Sequence, residues 1–80
     1  KVILALDPGY RTGTKVAVVD SLGSPLEVDV IYPAPPHEKI EESEKVIINL
    51  INKYRVDIIA IGNGTASREN EMFVANLLKT

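Results

Sequence analysis

The chain has no cysteine and no tryptophan, and only one histidine, one methionine and one phenylalanine in 80 residues. Without cysteine there is no disulfide framework and no thiolate metal site. His37 alone cannot assemble a histidine-based zinc centre. No apolar run approaches the roughly 20 residues that cross a bilayer as a helix, and Lys1 leads straight into a strand-like run ending in Asp7 rather than into a signal peptide. These features point to a cytoplasmic location and to no membrane partner. Excess basic charge is also missing: nine Lys and Arg face eleven Asp and Glu, for a net charge of −2. That balance argues against a bulk electrostatic grip on nucleic acid, which usually shows as a basic domain.

The residues present describe one small globular domain over positions 1–80. A 45% hydrophobic content supports a core, although a chain of this size buries only a little over about 60% of its unfolded surface. Val2–Leu6 is continuously apolar, as in a strand buried on both faces, and Pro8-Gly9 ends it. Thr14–Asp20 forms a second strand. Leu26–Tyr32 forms a third, with Leu26, Val28 and Val30 on one side and Glu27 and Asp29 on the other. Short links between the three favour an antiparallel meander. Pro33, Pro35 and Pro36 then lead the chain away from the sheet. Ile40, Val46, Ile47, Leu50, Ile51 and Tyr54 recur at helical spacing, followed by a fourth apolar strand over Val56–Ile61. Thr65 or Ser67 is positioned to cap a second helix, whose apolar face is Phe73, Val74, Leu77 and Leu78. Tyr32 and Tyr54 are expected to pack, and His37 carries no assigned role.

The order β-β-β-α-β-α predicts an α/β fold with a mixed sheet. A strand–helix–strand crossover makes the fourth strand parallel to its neighbour. If that neighbour is the first strand, Asp7–Thr12 faces Gly62–Arg68 at one sheet edge, where open sheets place ligands, and the second helix begins there too. An apolar fourth strand with one partner is an aggregation liability. It is therefore expected that the 80 residues are a fragment, truncated before a fifth strand and helix beyond Thr80, or that another copy covers the edge.

Asp7 ends the first strand and is the candidate catalytic and metal-ligating residue. Mg2+ prefers oxygen ligands and often needs only one or two carboxylates plus phosphate oxygens. Asp-Pro-Gly is equally a turn whose aspartate bonds nearby amides. A two-metal phosphodiester-cleaving site places its ions about 4 Å apart and needs several convergent carboxylates. The end of the fourth strand instead supplies Gly62, Asn63 and Gly64, and Glu69 and Glu71 lie further into the helix. Gly9-Tyr10-Arg11-Thr12-Gly13-Thr14-Lys15 departs from a Walker loop, since three residues separate its glycines and no helix follows. It is closer to the phosphate hairpin of the actin and sugar-kinase superfamily, and a bare hairpin would need the same glycines. Arg11, Thr12, Lys15, Asn63, Thr65, Ser67 and Arg68 are the candidate nucleic-acid or phosphate contacts, and Tyr10 could stack on a base. Asn63-Gly64-Thr65 is formally a glycosylation acceptor but reads as a turn.

Leu6-Asp7-Pro8-Gly9-Tyr10-Arg11-Thr12-Gly13, Lys15–Asp20, Ile31-Tyr32-Pro33 and Ala60–Glu69 together resemble the YqgF domain family of Tex-type transcription accessory proteins. The string Gly-Asn-Gly-Thr-Ala-Ser-Arg-Glu at positions 62–69 is the most specific element, and the similarity spans nearly the whole chain. The resemblance implies an RNase H-like fold related to the RuvC resolvase. It implies a larger nucleic-acid-binding protein that acts in transcription, in which S1 and helix-hairpin-helix modules carry much of the contact. Asp7 then matches the first-strand carboxylate of RNase H-like nucleases, as a vestige. The glutamate that RuvC-type enzymes place after the fourth strand falls at Gly62 or Asn63.

The expected function is a nucleic-acid-binding or scaffolding domain, for RNA or DNA, without nuclease activity and with no certain cofactor. Its partners are other domains of the same protein and the transcription machinery. The alternatives are an active Mg2+-dependent RuvC-type nuclease and an actin-like phosphate-binding ATPase fragment.

Overall fold

A computed structural model describes residues 1–79. Its elements are β1 (Ile3–Asp7), β2 (Thr14–Val19), β3 (Pro25–Ile31), α1 (Ile40–Tyr54), β4 (Ile58–Ile61) and α2 (Ser67–Leu78). The sheet order is β3-β2-β1-β4. β1 and β2 are antiparallel, as are β2 and β3, whereas β1 and β4 are parallel. These are the strand order and directions expected of the RNase H-like arrangement.

Register decides which residues share a face. Leu4 opposes Val18 and Ile59, and Leu6 opposes Val16 and Ile61. Thr14 opposes Ile31. These side chains form one face, and Leu4, Val16 and Val18 are fully buried there. α1 contributes Ile47 and Leu50 to the same core, and α2 contributes Phe73, Val74 and Leu77. Both helices therefore cover a single face of the sheet. Each fully buried large aliphatic side chain stabilises by about 1.5–3 kcal/mol, so this face holds most of the apolar driving force.

The opposite face is also apolar but carries no helix among the described residues. Ile3 opposes Val19 and Ile58, Ala5 opposes Ala17 and Ala60, and Ala17 opposes Val28. Val28 is 65% exposed and Ile58 44%. β1 is accordingly not buried on both faces as its composition suggests; its exposure alternates. β3 departs further from a simple apolar-in pattern. Its apolar side, Leu26, Val28 and Val30, faces away from the helices. Glu27 lies on the helical side, where α1 holds it: Lys53 Nζ donates at 2.9 Å and the Tyr54 hydroxyl at 2.7 Å to Glu27 Oε1. The Lys53 bond, and then the Tyr54 bond, keep the Glu27 carboxyl below the usual glutamate range.

The helix ends also differ from the expected caps. Neither Thr65 nor Ser67 caps α2. Its N-cap is Ala66, in the left-handed region at φ 65°, with no side-chain cap. Leu78 is exposed rather than on the buried stripe. In α1, Ser43 Oγ donates back to the Lys39 carbonyl at 2.6 Å and receives the Tyr32 amide at 3.3 Å, which fixes the helix start under the end of β3. Arg55 ends α1 in the left-handed region. No helix among the described residues is long and apolar enough to cross a membrane.

Candidate nucleic-acid interface

Two loops meet at the carboxyl ends of β1 and β4. Parallel pairing runs to Leu6 and Ile61, and the Gly62 amide donates to the Leu6 carbonyl at 2.9 Å. The next position across from Asp7 is therefore Gly62. A Cβ placed on Gly62 would lie 3.5 Å from the Leu6 oxygen and 3.9 Å from Pro8 Cδ, so the two turns touch where they leave the sheet.

Two longer ties hold them together. The Tyr10 hydroxyl donates to Glu69 Oε2 at 2.9 Å, bridging the first loop to the first turn of α2. The hydrogen bond to this glutamate raises the Tyr10 pKa above the ordinary tyrosine value. Beneath it, the buried Thr14 hydroxyl donates to Asn70 Oδ1 at 2.8 Å, and Asn70 Nδ2 donates to the Ala66 carbonyl at 2.8 Å. Thr14 and Asn70 are both 0% exposed. This buried chain joins the start of β2 to the left-handed residue that opens α2, so the second loop is set by the sheet rather than by a local cap.

The first loop has a further support. Gly13 adopts φ +80°, and a Cβ there would sit 2.6 Å from Tyr32 Cε1 and 2.7 Å from the Ile31 carbonyl. Tyr32 in turn meets the His37 ring edge-to-face at 4.8 Å, and His37 Nε2 lies 3.2 Å from the Arg11 carbonyl. The proline segment thus folds back onto the loop that carries Arg11.

All seven candidate contact residues lie at this end of the sheet or on these loops. Arg11, Thr12, Lys15, Asn63, Thr65 and Arg68 are exposed, and Ser67 is half-buried. Lys15 is the cross-strand partner of Asp7 on the open face of the sheet, while Arg68 belongs to the first turn of α2. Asp7 itself is exposed, and among the described residues its carboxylate takes no hydrogen bond and no ion pair. The Asx-type turn bond considered for it does not form. No side chain caps α2; the Ser67 amide bonds back to the Gly64 carbonyl at 3.3 Å, and the positive end of the helix dipole lies at this loop.

Among the described residues the donor set does not form a two-metal centre. Gly62 stands opposite Asp7 and offers no side chain, and Glu69 is engaged by Tyr10. Among the described residues no three carboxylate or imidazole groups converge.

Sequence reasoning missed Asn70, Glu69 and His37. Asn70 had a legible signal: it occupies the same helical stripe as Phe73, Val74 and Leu77, so a polar residue there must find a buried partner. The Tyr10–Glu69 and His37–Arg11 contacts join positions 59 and 26 residues apart and have no local signature.

The family profile described as "Tex protein YqgF-like domain" matches residues 1–80. The chain belongs to this Tex YqgF-like domain family. Its relatives include the uncharacterized protein YdcI of Bacillus subtilis, 47% identical over 99% of this chain and 11% of that protein. Protein tex of Bordetella pertussis is 45% identical over 98% of this chain and 10% of its own length. The human S1 RNA-binding domain-containing protein 1 is 35% identical over 98% of this chain and 8% of that protein. The chain thus spans about a tenth of the length of these relatives.

Proposed function

We propose that this YqgF-like domain binds or positions nucleic acid within a Tex-type transcription accessory protein and does not cleave it. On this reading residues 1–80 are part of an RNase H-like domain of a longer chain. The observation that carries it is the register at the sheet edge. Asp7 is answered by Gly62, so the place for a second carboxylate holds bare backbone. Around that backbone stand Arg11, Lys15 and Arg68, the hydroxyls of Thr12, Thr65 and Ser67, and the uncapped start of α2. Amides, hydroxyls and guanidinium groups are suited to phosphate oxygens and carry no base preference. The relatives named Protein tex and S1 RNA-binding domain-containing protein 1 support the nucleic-acid part of this reading.

The test is made in the full-length protein. Arg11→Ala and Arg68→Ala are expected to weaken binding to single-stranded RNA and DNA and to flatten the salt dependence of the affinity, each by about one unit of slope per lost phosphate contact. Unchanged affinity and slope would return both arginines to a structural role. Mg2+-dependent cleavage of branched DNA or RNA, abolished by Asp7→Asn, would overturn the non-catalytic reading. Thermal stabilisation by ATP, lost on Lys15→Ala, would move the crevice to the phosphate-hairpin ATPases.

A further inference from the structure

Away from the crevice, the first turns of α1, the proline segment and the outer side of α2 enclose a groove of about 360 Å3. Its apolar surface comes from Pro33, Pro35, Ile40, Met72 and Phe73. Phe73 is anchored in the core at 4% exposure, while Met72 is 61% exposed and Ile40 40%. The groove is therefore a hydrophobic surface open to water, at the low end of the range for ligand pockets, about 300–1,000 Å3. That is room for one or two side-chain anchors.

Its rim is acidic. Glu38, Glu44 and Glu69 line it, with no lysine, arginine or histidine among the lining residues. An adjoining hollow shares Glu38 and Ile40 and adds Glu41 and Glu42 against a single cation, Lys39. Among the described residues the ion pair is Lys53–Glu27, at the far end of α1. Among the described residues these five glutamates thus have no ion-pair partner, and Glu69 accepts from the neutral Tyr10 hydroxyl. Uncompensated carboxylates around an apolar floor repel phosphate backbones and attract cations. Such a rim steers and selects a partner, while the buried anchor supplies most of the affinity.

We propose that this groove docks a basic polypeptide segment of a partner protein, one that presents large apolar side chains between lysines and arginines. The domain then offers two chemically opposite surfaces: a cationic loop edge, and an acidic apolar groove on the other side of the Tyr10–Glu69 bridge. The proposal does not depend on the nucleic-acid reading.

The experiment measures fluorescence anisotropy of a short labelled peptide with two leucines at i and i+4 between lysines and arginines, added to the full-length protein. Saturable, salt-weakened binding is expected, with loss when the leucines become serine or the basic residues become glutamate. Met72→Asp should reduce affinity by about tenfold or more while leaving nucleic-acid affinity and the melting profile unchanged. The double variant E41K/E44K should lose the basic peptide and gain its acidic counterpart. Because these positions are exposed or half-buried, the variants are expected to fold. Equal binding of the basic and acidic peptides, absence of saturable binding, or indifference to Met72→Asp would each overturn the proposal. Self-association of the unmodified protein, abolished by Met72→Asp, would place a second copy in the groove and overturn it as well.

Discussion

The two glycine-containing loops at the sheet edge look alike in sequence and are built on opposite terms. In the first, glycine is a steric requirement. Gly13 lies at positive φ beneath the Tyr32 ring, and a Cβ on Gly9 would come within 2.7 Å of the Gly13 carbonyl. In the second, Gly64 has nothing within 4 Å of where its Cβ would stand and no left-handed backbone. The left-handed residue of that loop is Ala66, held by the buried Asn70 amide. Folding thus consumes the glycines of the first loop and leaves those of the second to spare. A glycine that the fold does not need leaves the backbone open to close approach from outside.

The contrast is breakable by mutation, and the largest effect is expected at Gly13. Gly13→Ala imposes about 1–3 kcal/mol of backbone strain and a further overpacking cost of about 1–3 kcal/mol against Tyr32, read as a lowered urea midpoint. Next is Asn70→Leu, which strands the buried Thr14 hydroxyl without an acceptor and should cost about 1–3 kcal/mol. Faster amide exchange across residues 62–66 should accompany it. The double variant Thr14→Val/Asn70→Leu should regain much of that stability, because removing both partners of a buried hydrogen bond can be nearly neutral; no recovery would mean that the link to Ala66 is what matters.

Tyr10→Phe is expected to have a smaller effect with a distinctive pH signature. The Tyr10 pKa is raised in the folded state, chiefly by its hydrogen bond to Glu69. The neutral phenol therefore favours the fold below tyrosine's ordinary range, and the contribution disappears as pH rises through the raised value. Stability measured across that alkaline window should fall in the parent and be flatter in Tyr10→Phe; parallel curves would show that the bridge contributes nothing. The smallest effect on stability belongs to Gly64→Ala, within about 0.5 kcal/mol of the parent. If the loop receives phosphate, the same variant should lower nucleic-acid affinity several-fold. A marked loss of stability at Gly64 would erase the contrast between the loops.

Much of the fold was legible because it rests on short-range pattern. The apolar run ending at Asp7, the short links of the meander, and the helical spacing from Ile40 to Tyr54 place β1 to β3 and α1 within a residue or two of where they stand. β4 begins two residues later than its apolar run, since the Val56 amide still bonds back to the Ile51 carbonyl at the end of α1. The loops facing each other across the sheet edge were also legible, since topology alone brings the ends of β1 and β4 together. The side of β3 that faces the helices was not. Alternation tells two sides apart but not which one is covered, and here α1 captures the acidic side through Lys53 and Tyr54.

The sequence by itself therefore determined the elements, their order, the family, and that Gly62-Asn63-Gly64 rather than a carboxylate follows the fourth strand. These follow from local propensity, periodicity and residue identity. Only the tertiary structure decided that both helices lie on one face of the sheet, that Asn70 rather than a hydroxyl cap sets the start of α2, and that three glutamates line an apolar groove. Those outcomes depend on packing and hydrogen bonds between residues distant in the chain, whose energies become available only when the chain has closed around its core.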